Sequence, residues 1–310
     1  MVNAAAHLLA GDLVAFPTET VYGLGADASN SAAVAKIYQA KGRPADHPLI
    51  VHIASMQAMG DWADEVPEYA IDLARKFWPG PMTLVLQRSE LAKDFITGGQ
   101  NTVGLRVPDH VVALALLEAF LGAGGKGVAA PSANRFGHVS PTTATAVVEE
   151  LGQYLSSNDL VLDGGACTVG VESTIIDCTG ATPRILRPGA ISQVMIQECT
   201  GLSTDISNKS ADEIRVSGSL ENHYAPAAKV LLCETPLPGQ GFIALASIQT
   251  PEGVIRLASP RDDEEFAQIL YSALRAADAQ GLAEVVVMQP IGTGIAVAIR
   301  DRLARAANGR

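Results

Sequence analysis

Cations are the scarce commodity in this 310-residue chain: 22 Lys and Arg stand against 33 Asp and Glu, for a net charge of −11. Residues 1–207 hold 12 cations against 21 anions and residues 208–310 hold 10 against 12, so the acidic excess sits in the front two thirds. Broad binding to nucleic acid needs many phosphate-neutralising cations, and this balance argues against it. Cysteine is nearly absent: Cys167, Cys178, Cys199 and Cys233 form no CxxC pair and lack a His cluster at zinc-ligand spacing. Reduced, mostly buried thiols are expected rather than a disulfide framework. The longest apolar run, around residues 111–117, is far too short to span a bilayer. No basic segment opens the chain and Asp12 interrupts the early apolar stretch, which argues against a secretory signal. A cytoplasmic protein without membrane association is the expectation. Also missing are a Walker A loop, HExxH, Ser-His-Asp spacing and a convincing GxGxxG after a strand.

Hydrophobic residues make up 48% of the chain and charged residues 18%, enough for substantial cores. The length favours two domains. Helical periods are expected over 4–10, 31–40 (capped by Asn30 or Ser31), 68–77, 110–121, 142–151 and 191–198. Strands are expected over 13–16, 49–53, 82–86, 103–107, 128–130, 160–162, 173–177 and 184–186. Pro79-Gly80-Pro81 stops one helix and the Gly-rich 122–127 another. From about 201 to 226, Ser, Thr, Asn, Asp and Gly dominate, a linker composition. Strands at 229–233, 242–246 and 285–288 and helices at 262–279 and 294–307 then suggest a small second α/β unit. The division read here is 1–200, a linker over 201–228, and 229–310. The class is α/β, with a sheet that need not be wholly parallel.

Several segments have the residue types for anion binding. KGRP (41–44) puts Lys41 and Arg43 two residues apart beside Gly and Pro, either a solvated turn or a clamp for a polyphosphate. PTETVYGLG (17–25) offers Thr18, Glu19, Thr20 and Tyr22 next to Gly23 and Gly25, either a glycine turn or a place of close ligand approach. APSANRFGHVSPTTA (130–144) follows a strand, so Ser132, Asn134 and Ser140 fall where open α/β sheets bind ligands. Ser140 before Pro141 also reads as a helix cap. Arg106 in GLRVP calls for a carboxylate or phosphate partner, with a structural ion pair as the competing account. GVESTIID (170–177) and RILRPGA (184–190) add Ser173, Thr174 and Arg187. His52 in PLIVHIA reads as a core histidine or a catalytic one, and IGTGIA (291–296) as a helix entry rather than a phosphate loop. Cations, hydroxyls and one Asn, without a nucleophile or metal cage, suit positioning and charge stabilisation. Phosphoryl and nucleotidyl transfer work largely that way, with Mg²⁺ supplied alongside the nucleotide.

PTETVYGLG, KGRP, HPLIVHI, WPGPMTLVL, GLRVP, PSAN with SPTTA, ESTIID and LRPG occur in the order of the YrdC-like family. With HYAP (223–226) and a trailing GxGxA…RLxxAA (Gly292, Gly294, Ala296, Arg302, Leu303, Ala306, Ala307), the chain resembles the long-form L-threonylcarbamoyladenylate synthase family. The resemblance is dense over about 10–200 and thinner beyond. It implies a YrdC-like open twisted mixed sheet with helices, followed by a smaller Rossmann-like α/β domain. It implies formation of threonylcarbamoyl-AMP and pyrophosphate from L-threonine, bicarbonate (or CO2) and ATP, with Mg²⁺ accompanying ATP. The product feeds downstream tRNA threonylcarbamoyl-transfer proteins. By the same resemblance, Lys41, Arg43, Ser132 and Asn134 bind nucleotide and phosphate, with Lys41 and Arg43 catalytic. Thr18, Tyr22, His52, Arg106 and Ser173 line the threonine side, Ser140 and Arg187 lie near the nucleotide, and the Tyr224 region forms a lid. SGSLEN, ahead of HYAP, departs from members with basic residues there. Two other readings compete. A hydrogenase-maturation type carbamoyltransferase module lacks its zinc-finger and acylphosphatase-like segments here, and a non-catalytic RNA-binding module sits poorly with the acidic charge.

Overall fold

The computed structural model describes residues 1–206, 214–218, 224–232 and 234–309; His223 and Cys233 lie outside them. The chain opens with α1 (Val2–Leu9), β1 (Val14–Phe16), β2 (Gly23–Asp27), α2 (Ser31–Lys41), β3 (Ile50–His52), α3 (Met59–Trp62) and α4 (Glu68–Phe77). It continues with β4 (Met82–Gln87), α5 (Asp94–Thr97), β5 (Thr102–Arg106), α6 (Val111–Gly122), β6 (Val128–Ala129) and α7 (Ala144–Leu151). Then come β7 (Leu160–Val161), β8 (Thr174–Asp177), β9 (Arg184–Arg187), α8 (Gln193–Thr200) and β10 (Asp205–Ile206). These ten strands form one sheet in the order β10-β9-β8-β4-β5-β3-β6-β2-β1-β7. Parallel pairs (β3 with β5, β4 with β8) alternate with antiparallel ones (β4 with β5, β8 with β9), so the sheet is mixed.

The second unit comprises β11 (Lys229–Leu232), β12 (Gly241–Ile243), β13 (Ile255–Ala258), α9 (Asp263–Ala279), β14 (Glu284–Val287) and α10 (Ile295–Ala307). Its sheet runs β11-β14-β12-β13 with every pair parallel. Such a sheet buries both faces, which accounts for the apolar EVVV and GFI strands. The core of this unit is continuous with the first: Val21, Val139, Val171 and Tyr224 join Phe266, Leu270 and Tyr271 of α9 in one apolar cluster. Gly170 makes that approach possible. It holds φ +80°, and a Cβ there would lie 2.4 Å from the Gln268 Cα. Among the described residues, no helix is long and apolar enough to cross a membrane.

Local chemistry explains the element ends. Asn30 Oδ1 accepts from the Ala32 and Ala33 amides at the start of α2, and the helix closes on Gly42 at φ 62°. Lys41 is thus the last helical residue rather than part of a loop. α7 starts later than expected: Thr143 caps it by accepting from the Ala146 amide. Ser140 is therefore not a cap, and its hydroxyl is committed elsewhere. The glycine segment at 23–27 is a strand, not a turn, because only Gly fits where Phe16 and Val128 close on Gly25, at 2.9 and 2.8 Å from a would-be Cβ. β10, β13, α3 and α5 were not expected from the sequence; each is only two to four residues long, too short to show a period. Cys167 and Cys178 are buried and Cys199 is half-buried, all as free thiols.

Candidate active site

A cleft opens where several strand ends and loops of the ten-stranded sheet meet the connecting segment. Thr18, Val21 and Gly23 come from the β1–β2 connection, Ile50 and His52 from β3, and Arg106 from the end of β5. Ala130, Pro131 and Ser132 follow β6, Glu172 and Ser173 precede β8, and Arg187 ends β9. Arg43 enters from beyond α2, while Ser217, Gly218 and Tyr224 close the cleft from the connecting segment. Of the residues singled out from sequence, Thr18, Arg43, His52, Arg106, Ser132, Ser173, Arg187 and Tyr224 share this one wall set. Lys41, Tyr22, Asn134 and Ser140 stand behind it.

Three buried guanidiniums give the cleft its charge. Arg43 donates from Nη2 to the Pro48 carbonyl and to Ser217 Oγ, each at 3.0 Å, and its Nε has no partner. Burial pulls its pKa down to about 10. Arg187 reaches the Ser173 carbonyl from Nε (3.1 Å) and Nη2 (2.9 Å), and the Ser217 carbonyl from Nη1 (2.8 Å). It is not the surface arginine that a strand-end position allows. Arg106 has the structural partner that its strand position called for: Nη2 lies 2.7 Å from Glu19 Oε1, with both side chains buried. Its Nε donates to the Gly80 carbonyl at 3.3 Å. The pair leaves Arg106 facing the cleft with its charge balanced from behind.

The hydroxyls are pre-set. Thr18 Oγ1 donates to the Val21 carbonyl at 2.7 Å, fixing the β1–β2 turn. Ser173 Oγ sits 2.8 Å from Thr83 Oγ1 and accepts from Arg187 at 3.1 Å. His52 is buried, stacked edge-on against Phe16 at 5.8 Å, with Nδ1 unpartnered. Burial first, and Arg106 next, push its pKa down to about 3, so the ring is neutral near pH 7 and a weak base.

Behind the wall, the Lys41 ammonium donates to the carbonyls of Ser132 (2.6 Å) and Asn134 (2.5 Å). Burial lowers its pKa well below the usual value, and Arg43 adds to that. It ties the SAN loop to α2. Asn134 Nδ2 donates to the Arg135 and His138 carbonyls, bracing the same loop. The Tyr22 hydroxyl points to the Gly165 carbonyl at 2.8 Å, and burial raises its pKa to about 12. Ser140 donates to Glu172 Oε1 at 2.6 Å.

Two residues without an assigned role from sequence prove central. Glu172 lies inside the ESTIID motif, but one carboxylate beside two hydroxyls gives no reason to prefer it. Ser217 comes from the linker composition, where nothing marks a single serine. Among the described residues, no three His, Cys, Asp or Glu side chains gather as a metal site.

Residues 6–189 match the family model described as telomere recombination, which covers the Sua5, YciO and YrdC proteins. Residues 191–308 match the one described as the C-terminal domain of threonylcarbamoyl-AMP synthase. The chain belongs to this family. A threonylcarbamoyl-AMP synthase of Pyrococcus abyssi is 40% identical over 99% of this chain and 94% of its own. That of Bacillus subtilis is 38% identical over 100% of this chain and 93% of its own. The crystal structure of P. abyssi Sua5 complexed with L-threonine superposes with a TM-score of 0.89 at 39% identity. It covers 99% of this chain and 94% of that one. Membership thus extends through the cleft, the connector and the second sheet of this family member.

Proposed function

We propose that this chain makes L-threonylcarbamoyladenylate from L-threonine, bicarbonate (or CO2) and ATP, releasing pyrophosphate, for the threonylcarbamoyladenosine modification of tRNA. The carrying observation is a cleft with three buried guanidiniums and pre-set hydroxyls in a chain alike end to end to named synthases. Matching of the second unit to the synthase C-terminal family favours this reading over a carbamoyltransferase module or an RNA-binding one.

The chemistry has two steps. Threonine ammonium and bicarbonate give the carbamate, water and one proton, which leaves to solvent. A carbamate oxygen then attacks the α-phosphorus of ATP, the bond to the bridging oxygen breaks, and pyrophosphate departs with the electron pair. Arg43 and Arg187 would neutralise the phosphates, exchanging their bonds to Ser217 for bonds to phosphate oxygens. Arg106, held by Glu19, would take the threonine carboxylate. Thr18 and Ser173 would recognise its hydroxyl, and such a site rejects analogues lacking that group. His52 at a pKa of about 3 is assigned packing and shape rather than proton transfer. Lys41 and Asn134 act by holding the Ser132 loop, and Tyr22 by holding residues 163–165.

Mg²⁺ is proposed to enter on the ATP phosphates, where it neutralises charge. The cleft carboxylate, Glu172, has its oxygens taken by Ser140, Tyr271 and Arg302, so the donor set fits phosphate-borne metal rather than a protein cage. The product would pass to tRNA threonylcarbamoyl-transfer proteins. Pyrophosphate release measured with threonine, then bicarbonate, omitted tests the reaction. Dependence on both is expected, with serine a poorer substrate; release that ignores either omission would sink the proposal.

A further inference from the structure

Glu172 is a buried carboxylate in the cleft wall, yet two of its three side-chain donors come from the other domain. Ser140 Oγ donates to Oε1 at 2.6 Å. The Tyr271 hydroxyl of α9 and Arg302 Nε of α10 donate to Oε2, at 2.9 and 2.8 Å. Arg302 is wholly buried and uses its fork on both domains. Nη1 reaches Asp301 at 2.5 Å, and Nη2 donates to the Pro188 carbonyl at 3.0 Å. Its guanidinium also lies 5.2 Å from the Tyr224 ring centre, and that ring stacks on Tyr271 at 5.7 Å. Tyr224, a cleft residue, holds φ +63°, a backbone state a tyrosine adopts only when its surroundings impose it. The residue after Glu172 is Ser173, whose carbonyl takes two bonds from Arg187.

We infer that Arg302 and Tyr271 are positioning residues for the nucleotide: they hold Glu172 balanced and Tyr224 in place, so that Arg187 meets phosphate unopposed. This rests on the adenylation reading above. Neither residue touches the cleft; both act through Glu172 and Tyr224. Without Arg302, the buried Glu172 would keep Ser140 as a donor but would draw on Arg187 for its charge, and that loss would fall on ATP far more than on threonine. The second domain thereby becomes part of the nucleotide site's electrostatics.

The test is calorimetric titration of the full chain with ATP and, separately, with L-threonine. Arg302→Met should weaken ATP binding by about tenfold or more, with threonine changed less than about threefold. Adding Glu172→Gln should restore most of the lost ATP affinity, because the unbalanced charge is gone; a purely structural role for Arg302 gives no such rescue. Should Arg302→Met fail to fold, Tyr271→Phe, which removes one hydroxyl and little volume, should show the same ordering at about two- to fivefold. Wild-type ATP affinity in the variant that folds, equal losses for both ligands, or a double variant as weak as the single one would overturn the inference. Wild-type protein that binds neither ATP nor threonine would instead overturn the adenylation reading.

Discussion

Each charged side chain in the cleft is defined by what stands behind it. Arg43 and Arg187 share Ser217 as a neutral partner, so both can turn to an anion without abandoning a carboxylate. Arg43→Ala should cost about 2.7–4 kcal/mol of barrier, by analogy with loss of one oxyanion-hole donor, read as a 10²–10³-fold fall in pyrophosphate release. Near wild-type turnover would remove Arg43 from the mechanism. His52 makes the opposite prediction. With a folded pKa of about 3 against 6.5, its ring should show no NMR titration between pH 5 and 8. A midpoint near 6.5 would mean the ring reaches water. At this scale the sequence was informative about charge and poor about direction. Arg106, Arg187 and Arg43 were visible as cations out of place. That Lys41 faces the Ser132 and Asn134 carbonyls of the loop after β6 rather than the cleft depends on how α2 ends, which the KGRP letters do not encode.

Longer elements were legible because their periods and breakers are strong. α4 appears at Glu68–Phe77 between Pro67 and Pro79, and β4 and β5 lie within a residue of their apolar runs. β2 was hidden because glycines normally mark turns, whereas here they let Phe16 and Val128 close on the strand. The same close packing makes the loop before β8 sensitive. Gly170→Ala would drive a Cβ to 2.4 Å from the Gln268 Cα and 2.5 Å from the Ala267 carbonyl of α9. Overpacking of this kind costs about 1–3 kcal/mol, and the positive φ adds to it. Thermal unfolding should show a Tm lowered by several degrees; an unchanged Tm would mean that the two domains yield at this contact.

Across the whole molecule, two carboxylates of the first domain are clasped by arginines of the second: Glu172 by Arg302 at 2.8 Å, and Glu150 by Arg275 at 3.1 Å. Burial alone would raise both, yet Arg302, Arg187 and Ser140 hold Glu172 at about 2, and His138 with Arg275 holds Glu150 at about 2, against 4.5. Depressed carboxylates contribute stability that is fully present above about pH 4.5 and lost as pH falls towards 2. Acid unfolding followed by circular dichroism should therefore steepen below pH 4.5, and Glu150→Gln should flatten that limb. An acid limb identical in the variant would show that the clasp contributes nothing. The pairing could not be read from sequence, since its members lie 130 and 125 residues apart.

That separation also sets a clock. A ribosome adds about 5–20 residues per second, so Arg302 follows Glu172 into being by roughly 7–26 s. The first sheet has time to collapse long before Arg302 exists. Until α9 and α10 are synthesised, Glu172 has Ser140 and the charge of Arg187 but lacks its Tyr271 and Arg302 donors. Vectorial synthesis thus completes the donor set around Glu172 only when both halves of the molecule are made.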